Sequence, residues 1–204
     1  MNRHLLMPVF YLPPISWFHF FLKKDSQVLL EAFENFPKQT YRNRAHIYGA
    51  NGKLPLIIPI RHTGARVYQD IEISYAEDWQ ALHWKSIKTA YQSSAYFEFY
   101  EDRLQTLYEE KEPSLLKFNL RALKLILELL KEEKPLNLTV QYEKSIEGED
   151  LRMEFSAKQP SFFCSKPYYQ NFADKLGYLQ DLSVLDLLCN LGPESSLYIK
   201  TCNE

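Results

Sequence analysis

Between Leu115 and Leu130 the chain carries ten large apolar residues spread around a helix rather than along one stripe: Leu115, Leu116, Phe118, Leu120, Leu123, Leu125, Ile126, Leu127, Leu129 and Leu130. A helix that is apolar on nearly every side has no face for water and must be buried. Pro113 and Ser114 open it, Lys131 and Lys134 suit its negative end, and Pro135 stops it, so the spacing predicts a helix to about Glu133. The rest of the chain must then form layers around it. At 204 residues, 46% apolar and 25% charged, the chain fits one ordered domain, residues 1–204.

Those layers are of both kinds, so the predicted class is α+β or α/β. A mixed β-sheet packs against the Leu-rich helix and several shorter helices. Leu5 to Tyr11 and Val28 to Phe33 read as strands. Tyr41 to Tyr48 and Leu54 to Ile60 read as a hairpin, because Asn51-Gly52 between them supplies the positive φ of a tight turn. Val67 to Ser74 alternates as a half-exposed strand, and Leu138 to Tyr142 and Leu151 to Phe155 read as two more. Asp78 caps a helix whose buried positions run Trp79, Leu82, His83, Ile87, Ala90 and Tyr91. A second stripe joins Phe97, Tyr100, Leu104, Leu107 and Tyr108. Ser183 with Asp186 reads as the capping box of the last helix, Leu182 and Leu187 as its staple, and Gly192-Pro193 as its end.

Residues 5–22 are mostly apolar, but Pro8, Pro13 and Pro14 break the helix that a membrane span or signal peptide needs. They are expected to form a buried strand, a proline turn and a short aromatic helix. The three cysteines, Cys164, Cys189 and Cys202, are odd in number and widely spaced, which suggests neither a disulfide framework nor a zinc site. A reducing cytoplasm is the expected compartment. No metal, dinucleotide or P-loop motif occurs, the five histidines lack ligand spacing, and six glycines are too few for a glycine-built phosphate loop. No cofactor is thereby identified.

Residues 38–66 hold Lys38, Arg42, Arg44, Lys53, Arg61 and Arg66 with His46 and His62, and no acid, in a chain of formal charge −2. Strand alternation places Arg42, Arg44 and His46 on one face and Tyr41, Asn43, Ala45 and Ile47 on the other. Arginine forks bind two oxygens at once and suit phosphate or carboxylate. One reading is a site for a small anionic substrate, a nucleotide-sugar or activated acyl donor. The other is a solvated sheet face balanced by acids elsewhere. RNA is disfavoured, because the basic stretch is short and lacks an RNP-type motif. His83 on its apolar stripe reads either as a general base, with Tyr91 beside it, or as a core histidine bonded to a backbone carbonyl.

Several stretches together resemble the WbqC-like protein family. They are Tyr11-Leu12-Pro13 through Trp17-Phe18, Tyr41-Arg42-Asn43-Arg44, the Gly52 turn and Leu56-Ile57-Ile58-Pro59-Ile60. Trp79, His83, Ser86-Ile87, Tyr91 and Tyr96-Phe97 continue the pattern. Tyr169-Gln170, Leu182-Ser183, Asp186-Leu187-Leu188, Asn190 and Gly192-Pro193 complete it. The chain departs where the family often has Gln-Pro (here Pro8-Val9-Phe10) and where it has Pro before Tyr96-Phe97 (here Ala95). The resemblance implies a bacterial protein of surface-polysaccharide (O-antigen) gene clusters and a group transferase, with glycine, aminoacyl or another acyl group moved to a sugar. On that expectation His83 and Tyr91 are the catalytic candidates, and Arg42, Asn43, Arg44 and Arg61 the substrate-binding ones. Asn43 fits only if the strand twists there. A non-catalytic binder of an anionic sugar nucleotide or of a partner enzyme is the alternative, and an RNA-binding protein the third. The sequence leaves the oligomeric state open.

Overall fold

The structure is a computed structural model and describes residues 3–202. Strands β1 (Arg3–Pro8) and β2 (Ser26–Glu31) pair in parallel, joined by helix α1 (Ile15–Phe21). Strands β3 (Arg44–Gly49) and β4 (Gly52–Ile57) form an antiparallel hairpin. Helices α2 (Trp79–Tyr91), α3 (Phe97–Gln105) and α4 (Leu115–Leu130) follow. Two short strands, β5 (Asn137–Leu138) and β6 (Glu149–Asp150), add to the first sheet in the order β5-β2-β1-β6, every pair parallel. Helices α5 (Ala173–Leu176), α6 (Val184–Leu191) and α7 (Ser195–Thr201) end the described chain. The predicted mixture of helix and strand is present, with its strands divided between a parallel sheet and a separate antiparallel hairpin.

The Leu-rich segment is α4, and Leu115, Phe118, Leu123 and Ile126 are inaccessible to solvent. They join Leu5, Met7, Val28 and Leu30 of the parallel sheet in one hydrophobic cluster. Ser114 caps the helix by accepting from the Lys117 amide, as its position predicts. The helix stops at Leu130, short of Glu133, because Lys131 turns left-handed (φ 57°) and returns its amide to the Glu128 carbonyl. Asp78 likewise caps α2 through the Ala81 amide. On α2, however, Leu82 lies exposed and Gln80 is buried in its place. Gln80 donates to the Glu110 carbonyl, and that bond draws this side of α2 inward.

Several strands come out differently, among them Leu138 to Tyr142, of which only Leu138 lies in a strand. Val67 to Ser74 is a 3-10 turn, Tyr68–Asp70, flanked by isolated bridges. Tyr68 is fully buried, where alternation had it exposed, because its hydroxyl donates to the Val9 carbonyl and accepts from Asn119. Leu151 to Phe155 leaves the sheet after Asp150, whose carboxylate accepts the Arg152 amide and folds the chain into a turn. β1 ends at Pro8 rather than Tyr11, and residues 9–13 run instead to the hairpin and α6, where Tyr11 donates its amide to Tyr41 and Pro13 receives that of Val184. No helix among the described residues is long and apolar enough to cross a membrane. Cys164, Cys189 and Cys202 are all free.

Candidate functional site

The hairpin keeps part of its predicted face. In the β3–β4 register Arg44 faces Ile57, His46 faces Pro55 and Tyr48 faces Lys53, so Arg44, His46 and Lys53 project to one side. Arg42 lies before the strand and is not on that face. It is 2% exposed and forks both oxygens of Glu34 at 2.6 Å, with its guanidinium over the Phe10 ring. Both ends of that pair are buried. Arg61 is exposed and paired with Glu72 at 2.7 Å. Two of the six cations in this stretch are therefore neutralised by carboxylates, which shrinks the basic surface that RNA would use. Asn43 is buried and spends its side-chain amide on the Ile58 carbonyl.

His83 is 3% exposed, and both ring nitrogens are engaged. Nδ1 lies 3.0 Å from the Tyr11 hydroxyl and Nε2 3.2 Å from the Ile57 carbonyl. Burial pushes its pKa down to about 4, although the carbonyl contact opposes the shift. Tyr11 in turn meets the Tyr108 hydroxyl at 2.7 Å. The arrangement is a closed polar chain inside the core. Tyr91 belongs to a different cluster: its hydroxyl accepts the Tyr48 amide at 3.2 Å, and Asp186 is its main charged neighbour. Among the described residues His83 and Tyr91 share no hydrogen-bond partner.

Asp186 does not complete a capping box. The Ser183 amide, which a box would direct to Asp186, donates to the His46 carbonyl instead. The Ser183 hydroxyl accepts from Leu185. The Asp186 carboxylate turns inward and takes Tyr168 at 2.6 Å and Gln170 at 3.0 Å through Oδ2. Among the described residues no partner within hydrogen-bond geometry reaches the buried Oδ1, although the Tyr91 hydroxyl also acts on this carboxylate. Burial pushes its pKa up to about 6 against these bonds.

The arrangement most open to chemistry centres on His46, 8% exposed, beside Tyr41. The Tyr41 hydroxyl is 3.5 Å from His46 Nδ1, and the rings meet edge to face. Among the described residues no hydrogen bond reaches Nε2. Burial first, then Lys53 and Arg44, push the His46 pKa down to about 4. The imidazole is therefore neutral near pH 7. Tyr41 lines a cleft of about 200 Å³ together with Ser161 and Asp181. Asp181 is nearly buried and holds the cleft wall together. It accepts from the Ser16 amide and hydroxyl, both at 2.8 Å, and from the Ser161 hydroxyl at 2.5 Å. Burial raises its pKa against those bonds and against Lys53. Burial and then Asp181 raise that of Tyr41. The Arg44 Nε is buried without a partner among the described residues.

The basic hairpin pointed to Arg44 and included His46 and Lys53, but Tyr41, Ser161 and Asp181 were not legible. Nothing in the sequence around Asp181 announces that it will meet Ser16. Its left-handed backbone (φ 54°) is a tertiary outcome. No group of three or more His, Cys, Asp or Glu among the described residues is placed to hold a metal ion.

Comparison with known proteins agrees with the motif pattern. A protein of Mycobacterium tuberculosis, described as uncharacterized protein Rv1507c, is 24% identical across 100% of this chain and 100% of its own. No solved structure matches. The profile of the WbqC-like protein family matches residues 9–161, a span that includes the β1 exit, the hairpin, Tyr41, His46 and Ser161. The chain belongs to the WbqC-like protein family.

Proposed function

We propose that the protein is a group transferase that moves a small acyl or aminoacyl group from an activated, anionic donor to a hydroxyl or amine of a sugar, in bacterial surface-polysaccharide synthesis. The observation that carries the reading is the neutral His46, with an unengaged Nε2, beside the Tyr41 hydroxyl and on the hairpin face that also carries Lys53 and Arg44. With Nδ1–H donating to the Tyr41 oxygen, Nε2 keeps its lone pair and can accept the proton of an attacking hydroxyl or amine. A histidine of pKa about 4 is a weak base. An anion seated on Lys53 and Arg44 offsets the repulsion that helps to depress that pKa, and raises it toward the working range. Donor binding and activation of the base are then one event. His83, with both nitrogens engaged, has a structural role in this reading, and Tyr91 supports the buried Asp186 cluster.

The test begins with a thermal-shift panel of nucleotide-sugars, acyl-CoA and aminoacyl adenylate analogues against wild type and Lys53→Ala/Arg44→Ala. A ligand at about 100 times its Kd adds roughly 2.7 kcal/mol of stability, and the double variant is expected to lose that shift. On the substrate so found, His46→Ala is expected to lower kcat by about 10²–10⁴-fold with donor binding retained. His83→Ala is expected to lower stability by about 2–4 kcal/mol, through a cavity and an unpaired Tyr11 hydroxyl, with kcat of the folded fraction unchanged. Wild-type turnover in His46→Ala, or a kcat loss confined to His83→Ala, would move the base away from the hairpin. Donor binding with no turnover by wild type would make the protein a binder of that anion.

A further inference from the structure

The 200 Å³ cleft beside Tyr41 holds only a small group, since pockets for whole cofactors and drug-sized ligands run to about 300–1,000 Å³. A second cleft, of about 600 Å³, is lined in part by residues that adjoin the first cleft's in the chain. Phe33, Glu34, Tyr142, Asp150, Arg152 and Met153 line it. Its position follows from topology. Glu34 is three residues beyond the end of β2, and Asp150 is the last residue of β6. In the order β5-β2-β1-β6 these two strands flank β1, so the cleft opens at the carboxyl ends of the parallel strands. The chain runs to the β2 side of β1 after the first crossover and returns to the other side at β6. Ligands of open parallel sheets bind at such a reversal. The two clefts are also linked through the chain. Residues 150–153 contribute to one and residues 154–156 to the other. Tyr41 lines the first, while its neighbour Arg42 forks Glu34 in the second.

The lining is rigid and its charges are already matched. Arg152 binds Asp150 at 2.6 Å, Glu31 at 3.1 Å and the Glu143 carbonyl at 2.7 Å, and Arg42 holds Glu34. Neither guanidinium is free for a phosphate, and the carboxylates of Glu34 and Asp150 would repel one. Both keep lone pairs for O–H or N–H donors. Tyr142, 49% exposed, and Met153, 81% exposed, stand unburied at this cleft, and Phe33 is partly buried there. Fixed acceptors beside apolar walls suit an uncharged ring that carries hydrogen-bond donors.

We propose that the cleft at the carboxyl ends of β2 and β6 is a binding site for an uncharged, donor-bearing ring, a nucleoside or a sugar, and seats the body of the larger substrate whose reacting group enters the Tyr41 cleft. The second half of that statement rests on the transferase reading; the binding site itself does not. The test is saturation-transfer NMR on the whole protein with uridine, adenosine, N-acetylglucosamine and, as the phosphate probe, methyl phosphate, each separately at millimolar concentration. Signal from the nucleosides, or from the sugar, identifies the source of the ring. Tyr142→Ala/Met153→Ala is expected to weaken that binding at least tenfold with the fold kept, since both side chains are exposed and Arg152, which loses only the Tyr142 ring beneath it, keeps its bonds to Asp150, Glu31 and the Glu143 carbonyl. His46→Ala is expected to leave it unchanged. Absence of transfer from all three ring probes overturns the site, as does equal binding by the double variant or a response to phosphate alone. Ring binding that persists when no donor is ever turned over sinks the transferase reading and leaves the site standing.

Discussion

His46 and His83 have the same direction of shift, both down to about 4, and burial leads in both. Their surroundings separate them. His83 satisfies both nitrogens within the core, whereas His46 faces two cations that a ligand can neutralise. Asp186 is the opposite case, an acid pushed up to about 6. Its raised pKa means that the native state binds more protons than the unfolded chain between about pH 4 and 6. This group's contribution to stability is therefore fully present below pH 4 and is lost as pH rises through 6. Asp186→Asn keeps an oxygen for Tyr168 and Gln170 and removes the charge. The variant is expected to be more stable than wild type at pH 8, on the order of 2 kcal/mol, with the gain gone by about pH 4. Urea denaturation at the two pH values measures this, and a variant less stable than wild type at pH 8 would show that the carboxylate is better paired than its burial implies.

At the scale of elements, the exit from α6 sets where α7 and the α3 start can lie. Gly192 ends α6 at φ 55° and ψ −124°, a conformation that side chains strain to adopt. A Cβ there would sit 2.4 Å from the Tyr96 ring, and the Tyr96 amide is bonded to the Cys189 carbonyl one turn back. Gly192→Ala is expected to lower stability by at least about 3 kcal/mol through strain and collision together. In a Tyr96→Ala background the collision is absent, so the Gly192→Ala step is expected to fall to about 1–3 kcal/mol. An equal loss in both backgrounds, read from denaturation midpoints, would assign the whole effect to the backbone.

For the whole molecule, the buried pair Arg42–Glu34 and the cluster of Arg152, Glu31 and Asp150 tie the hairpin approach, the end of β2 and the 139–152 segment together. Glu31 takes amides of Phe33 and Glu143 and the Thr139 hydroxyl as well as Arg152. A buried pair can match a well-packed apolar substitute, while loss of one partner strands the other charge. Arg42→Ala is therefore expected to lower stability by about 3–5 kcal/mol. Arg42→Met/Glu34→Leu is expected to recover most of that loss. A double variant no better than the single one would mean that Arg42 acts through its packing on Phe10 rather than through its charge.

Features that depend on near neighbours in the chain were legible in the sequence. The α4 core helix follows from apolar density, the caps at Ser114 and Asp78 from hydroxyl and carboxylate chemistry within three residues, and the hairpin from Asn51-Gly52. Arg44 and His46 could be placed on one face because strand periodicity is local, whereas Arg42, put with them, lies before the strand. Tertiary structure alone decided which charges are free. Arg42 reads like Arg44 until Glu34 at the end of β2 closes on it. Asp186 reads as a cap until Ser183 bonds the hairpin instead. Asp181 acquires its place only by meeting Ser16, 165 residues away. The reason is that a helix or turn is set by backbone bonds a few residues apart. The state of a charged group is set by its desolvation and its nearest counter-charge, and in a fold of parallel strands those come from distant parts of the chain.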